Sequence, residues 1–162
     1  MYLDQPGLMG LWDKMKAVFA PKSHTHDSAW TTAYGMAASA TLAASSADVI
    51  LAQTTGAGAA AALESGGLKV SRAGTVLATG SLSLGSGFSV GDLVHLRVAK
   101  NGSHTGADIV HVMPATSGGT VQITTVVAVA AGDVLTLRAW NASHAHGTVS
   151  ANTSTRLTVA YI

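Results

Sequence analysis

The chain has 162 residues, 48% of them hydrophobic and only 10% charged, with a formal net charge of +1 and no cysteine. Disulfides and thiolate metal sites are therefore excluded, and the absence of a basic block argues against nucleic acid or an anionic membrane surface as partner. Ordinary soluble chains carry about 25% charged residues, so a chain this poor in charge is expected to bury apolar surface against copies of itself.

The first element read from the N-terminus is an amphipathic helix over 6–19, "PGLMGLWDKMKAVF". Leu8, Leu11, Trp12, Met15, Val18 and Phe19 recur at spacings of three and four and form one apolar stripe. Asp4 can cap this helix, Pro6 suits its first turn and Pro21 stops it. Isolated helices of about 12–15 residues are marginal in water, so the stripe must dock on something. Because a linker-like stretch follows, residues 1–20 are read as an anchor, 21–35 as a linker and 36–162 as the main domain. The N-terminal charges lie inside the apolar pattern rather than before it, so no signal peptide is predicted. The longest apolar run, "VVAVAA" at 126–131, is too short to span a bilayer as a helix.

From about residue 33 the period becomes two, with frequent turn signals. Val76, Ala78, Leu82 and Leu84 are expected on one face, as are Val94, Leu96 and Val98, and then Val121, Ile123, Val127 and Val129. Asn101-Gly102 predicts a tight hairpin turn, since both residues tolerate positive φ. Gly91-Asp92 and Gly132-Asp133 each turn the chain into a following strand. "GAGAAAALE" at 56–64 lies among glycines and is read as a loop or a single turn. The pattern predicts an all-β antiparallel sandwich or barrel of about eight to ten strands.

Four segments in order, "GGLKVSRAGTVLATGSLSLG", "GDLVHLRVAKNG", "AAGDVLTLRAWN" and "STRLTVAYI", resemble the jelly-roll domain of the complement-component and tumour-necrosis-factor-like superfamily. Leu68 and Val76 stand where that pattern has aromatic residues. The stretch "KSHTH" looks like the linkers of bacteriophage tail-fibre and related virion proteins. Together the likenesses imply a homotrimeric, non-enzymatic phage structural protein, assembled in the host cytoplasm and carried on the virion. Its helix would bind another virion protein, and its heads would be tail-associated and touch a host surface glycan or protein. A capsid decoration or head fibre of the same fold is the alternative, followed by a bacterial carbohydrate- or protein-binding module.

His24 and His26 in an extended segment point to the same side. Around a threefold axis three such pairs supply six imidazoles, which suits iron(II) or nickel(II) better than four-coordinate zinc. The phage-fibre resemblance implies the same metal-staple role, and the alternative is a pair of solvated linker histidines. His144 and His146 repeat the spacing in a predicted loop. Recognition usually lies in loops, which makes 101–108, 114–120 and 141–153 the candidate ligand loops, with Asn101, His104, Trp140, His144 and His146 as candidate residues. Catalysis finds little support: Glu64 is the one glutamate, and neither a nucleophile elbow nor a phosphate loop occurs. The Asn-x-Ser matches at Asn101, Asn141 and Asn152 are expected by chance in so serine- and threonine-rich a chain.

Overall fold

A computed structural model describes residues 29–162 as strands and connecting turns. The strands are β1 (Trp30–Tyr34), β2 (Ala40–Thr41), β3 (Ala47–Val49), β4 (Gln53–Ala57), β5 (Ala61–Glu64), β6 (Gly67–Val70), β7 (Gly74–Ser83), β8 (Leu93–Lys100), β9 (Ser103–Val112), β10 (Thr120–Val129), β11 (Val134–Asn141), β12 (Thr148–Val149) and β13 (Arg156–Tyr161). They form a five-stranded sheet in the order β10-β7-β13-β1-β4 and a six-stranded sheet that includes β5-β6-β11-β8-β9, with β3 also on β11. The named pairings are antiparallel. The predicted anchor helix and the pair His24 and His26 lie outside the described residues.

The inward faces of the two sheets make one core, and the alternation read from the sequence identifies it. Val76, Ala78, Leu82, Val94, Leu96, Val98, Leu135, Leu137, Leu157 and Val159 are fully buried, and Val121, Ile123, Val127 and Val129 nearly so. Gly80, facing inward on β7, leaves room that Leu137 fills: a Cβ there would meet the leucine and Ile123.

Three readings change. β1 begins at Trp30, so residues 30–34 of the predicted linker are sheet. Only Thr31 and Ala33 turn inward there, and such small residues leave too weak an apolar alternation to announce a strand. The stretch 56–64, read as a loop or turn, instead contributes the end of β4 and all of β5. Ser65 and Gly66 both take positive φ and close a hairpin in which Leu63 lies opposite Leu68. Among the described residues the strands number thirteen, because short pieces such as β2, β3 and β12 pair locally, and a two-residue strand has no readable period.

The molecule has two unlike ends. Ala29 accepts a hydrogen bond from the amide of Tyr161, so the entry to β1 and the end of β13 share one end of the sandwich with the turns after β8 and β10. The opposite end collects the connections 84–92, 113–119 and 142–155, the last of which contains β12.

Candidate functional site

The outward face of the five-stranded sheet is organised in rows. Registers place Thr55, Thr32, Thr158, Thr79 and Thr124 directly opposite one another, one threonine from each strand. Their Cβ branches suit the pleat, and cross-strand hydroxyl pairs form at 2.8 Å between Thr32 and Thr158 and 3.3 Å between Thr79 and Thr124. The row nearer the termini is apolar: Ala57, Trp30, Ala160, Leu77 and Val126. The row nearer the opposite end reads Gln53, Tyr34, Arg156, Ser81 and Gln122. Arg156 is the one cation in these three rows, and they contain no carboxylate.

The outward face of the six-stranded sheet is built otherwise. Arg97 pairs with Asp108 at 2.8 Å, Arg138 with Asp48 at 3.2 Å and Lys69 with Glu64 at 2.9 Å. Trp140 stacks on His95 with ring centres 4.4 Å apart, and the Arg97 guanidinium lies 4.5 Å from the Trp140 ring centre. These are cross-strand pairs on a solvated sheet, each contributing a fraction of a kcal/mol to about 1 kcal/mol.

Two copies of one turn punctuate the fold. In Ser89-Val90-Gly91-Asp92 and Ala130-Ala131-Gly132-Asp133 the fourth amide donates to the first carbonyl at 3.1 Å. The glycines have φ of 92° and 90°, as a type II turn demands at its third position. In each turn the aspartate Oδ2 accepts the first residue's amide at 2.8 Å. At the terminal end Asp133 also receives Asn101 Nδ2 at 2.7 Å. At the far end Asp92 is buried and receives Asn141 Nδ2 at 3.0 Å and His146 Nε2 at 2.6 Å.

Burial raises the affinity of Asp92 for a proton, but the Ser89 amide, His146 and Asn141 together outweigh it and hold its pKa below the ordinary carboxylate value. Asp133 is lowered too, first by the Ala130 amide and then by Asn101. A depressed folded-state pKa means stability that is present above the unfolded value and lost as pH falls through the folded one. The Ser89 and Ala130 amide resonances should therefore hold steady down through the ordinary carboxylate range and shift only below it. Midpoints at or above that range would overturn this reading.

The structure separates the predicted ligand residues. Asn101 occupies a hairpin turn with φ of 50° at the terminal end, as its Asn-Gly pair predicts, and His104 lies in β9 beside it rather than in a loop. A depression of about 310 Å³ there is lined by Lys100, His104 and Val126 among others. His144 and His146 sit at the opposite end. Trp140 belongs to β11, already covered by His95 and Arg97. Asn141 is buried, its side chain held by Asp92, the His146 carbonyl and the Ser143 amide, so its Asn-x-Ser match is not available to a glycan. Asp92 was legible only as a turn residue; its role as the buried partner of His146 joins positions 54 residues apart. The threonine row was equally hidden, because its members come from five separate strands. A second depression, about 460 Å³ and lined by Trp30, Thr32, Tyr34, Thr55, Thr153 and Arg156, lies on that same face.

No family model and no curated protein matches the sequence. Solved structures do match its fold. The structure of murine APRIL at pH 5.0 aligns over 83% of this chain and 99% of that chain, with a TM-score of 0.65 and 15% identity. Eiger TNF from S. frugiperda aligns over 83% and 93%, with a TM-score of 0.62 and 10% identity. Murine APRIL at pH 8.5 gives 83%, 98%, 0.62 and 12% in the same terms. At such identities the likeness establishes architecture, and the chain has the antiparallel jelly-roll sandwich of the tumour-necrosis-factor-like fold.

Proposed function

We propose that the protein is a non-enzymatic homotrimeric appendage of a bacteriophage particle, anchored through residues 1–20 and displaying its jelly roll, tail-associated, towards a host surface glycan or protein. The observation that carries the self-association is the graded, nearly uncharged face of the five-stranded sheet. A rotation axis parallel to the strands keeps every row at its own height. Trp30, Leu77 and Val126 of one copy then meet apolar residues of the next, and threonines meet threonines. Several of these apolar side chains are exposed in the single chain, Val126 at 58% and Trp30 at 37%, and burying them is favourable.

The polarity of the molecule supports the rest. Ala29 leads directly into β1 of that same face, and in the proposed trimer the three preceding segments would leave the assembly close together. Convergence there would bring three copies of His24 and His26 around one iron(II) or nickel(II) ion. The loops 113–119 and 142–155 lie at the opposite end, free to face outward.

The test has three readings. The full chain should have three times its 16.2 kDa mass in solution. Elemental analysis should find one iron or nickel ion per three chains, lost when His24→Ala and His26→Ala are combined. Labelled antibody should mark the phage tail in electron micrographs, and label on the capsid would replace the tail reading by a decoration role. A monomer, or the absence of the protein from purified particles, would overturn the proposal.

A further inference from the structure

We infer that the tip of the jelly roll carries a metal-binding site, separate from the linker histidines, in which His144 and His146 hold one divalent transition-metal ion of the zinc or copper class. Among the described residues no group of three or more His, Cys, Asp or Glu side chains is arranged to hold a metal. This site therefore offers two imidazoles, and water completes the coordination.

The geometry begins at Asp92. Its carboxylate is 3% exposed and is fixed by the Ser89 amide at 2.8 Å and Asn141 Nδ2 at 3.0 Å. Asn141 is itself fully buried. Against this rigid acceptor lies His146 Nε2 at 2.6 Å. With Nε2 donating its proton to this carboxylate oxygen, the Nε2–H tautomer of the ring carries its lone pair on Nδ1. Nδ1 of His146 makes no hydrogen bond to any described residue, and the ring is 35% exposed. A buried carboxylate behind one ring nitrogen and an open second nitrogen is the recurrent arrangement behind metal-bound histidine, because it sets the tautomer and raises ligand basicity.

The second ligand is adjacent. The chain turns tightly between the two histidines, the His146 amide donating to the His144 carbonyl at 2.9 Å. Gly147 follows with φ of 82° and packs against the Phe88 ring, which leaves no space for a side chain at that position. The result brings the His144 ring centre to 5.2 Å from that of His146, tilted by 32°. With metal–nitrogen bonds of about 2.0–2.1 Å, two imidazoles on a tetrahedral ion have ring centres about 5 Å apart. His144 is exposed and its ring makes no hydrogen bond to a described residue, so it can rotate to present a nitrogen at little cost. The site depends on one chain alone and stands or falls independently of the trimer.

The experiment uses the full chain with His24→Ala and His26→Ala, which silences the linker pair. Zinc sulfate is titrated calorimetrically, and imidazole nitrogen resonances are followed by NMR. One zinc per chain is expected, with the large shift on Nδ1 of His146 and a second shift on His144. His146→Gln retains a donor towards Asp92 but has no ring nitrogen, and should weaken binding at least tenfold, as should His144→Ala. Asp92→Asn, checked for folding by circular dichroism, should weaken it about 10–100-fold. His104→Ala and His111→Ala should change nothing. Unaltered zinc binding in His146→Gln, shifts confined to His95, His104 or His111, or no zinc uptake at millimolar concentration would each overturn the site.

Discussion

Leu137→Ala should destabilise the sandwich by about 2–5 kcal/mol, at the upper end of that range. Leu137 sits in the middle of β11 with no exposed surface. Its Cδ2 occupies the position that a Cβ on Gly80 would claim, 2.4 Å from where that atom would lie. The glycine on the opposing sheet has no side chain to relax into the vacated space, so the cavity persists and the lost contacts are not recovered. Urea unfolding at fixed protein concentration measures the loss, provided the slope of the transition is unchanged. The same truncation at Val126, exposed on the outer surface, should leave the stability of a single subunit nearly unaltered. A loss below about 1 kcal/mol for Leu137→Ala would mean that the two sheets are not packed as described.

Thr158→Arg should convert the assembled form into monomers while leaving the subunit folded. Thr158 lies at the centre of the five-threonine row, bonded to Thr32 and flanked by Thr79. It is half-exposed in the single chain, so an arginine can reach water there. In a cyclic assembly the same position is desolvated, and each copy would add a cation to a layer without a carboxylate. A buried charge left without a partner costs about 3–5 kcal/mol, and symmetry repeats that cost in every subunit. Sedimentation should then report 16.2 kDa instead of three times that mass. Thr136→Arg, outward on the opposite, charge-rich sheet, is the control and should remain assembled. Persistence of the large species in Thr158→Arg, or dissociation in both variants, would remove the five-stranded face from the interface.

The class of fold and most of the core follow from local residue pattern alone. A strand with one buried face must alternate, and 76–84, 94–98 and 121–129 alternate clearly enough for the inward residues to be named before any coordinates. Its turns were equally readable where the backbone needs positive φ. Asn101-Gly102, Gly91-Asp92 and Gly132-Asp133 each mark a bend because glycine, and to a lesser degree asparagine, tolerates that conformation. Where the alternation is faint, tertiary pairing decided: β1 turns only Thr31 and Ala33 inward and β5 buries no side chain fully, so neither shows a clear apolar period, and each is held as strand by its neighbours. The surfaces that bear on function were settled only in three dimensions. The threonine row takes one residue from each of five strands spread over residues 32–158, and the tip joins Asp92 to His146 across 54 positions. Local periodicity shows which side of a strand faces outward. Register between strands, a long-range property, decides which outward residues stand together.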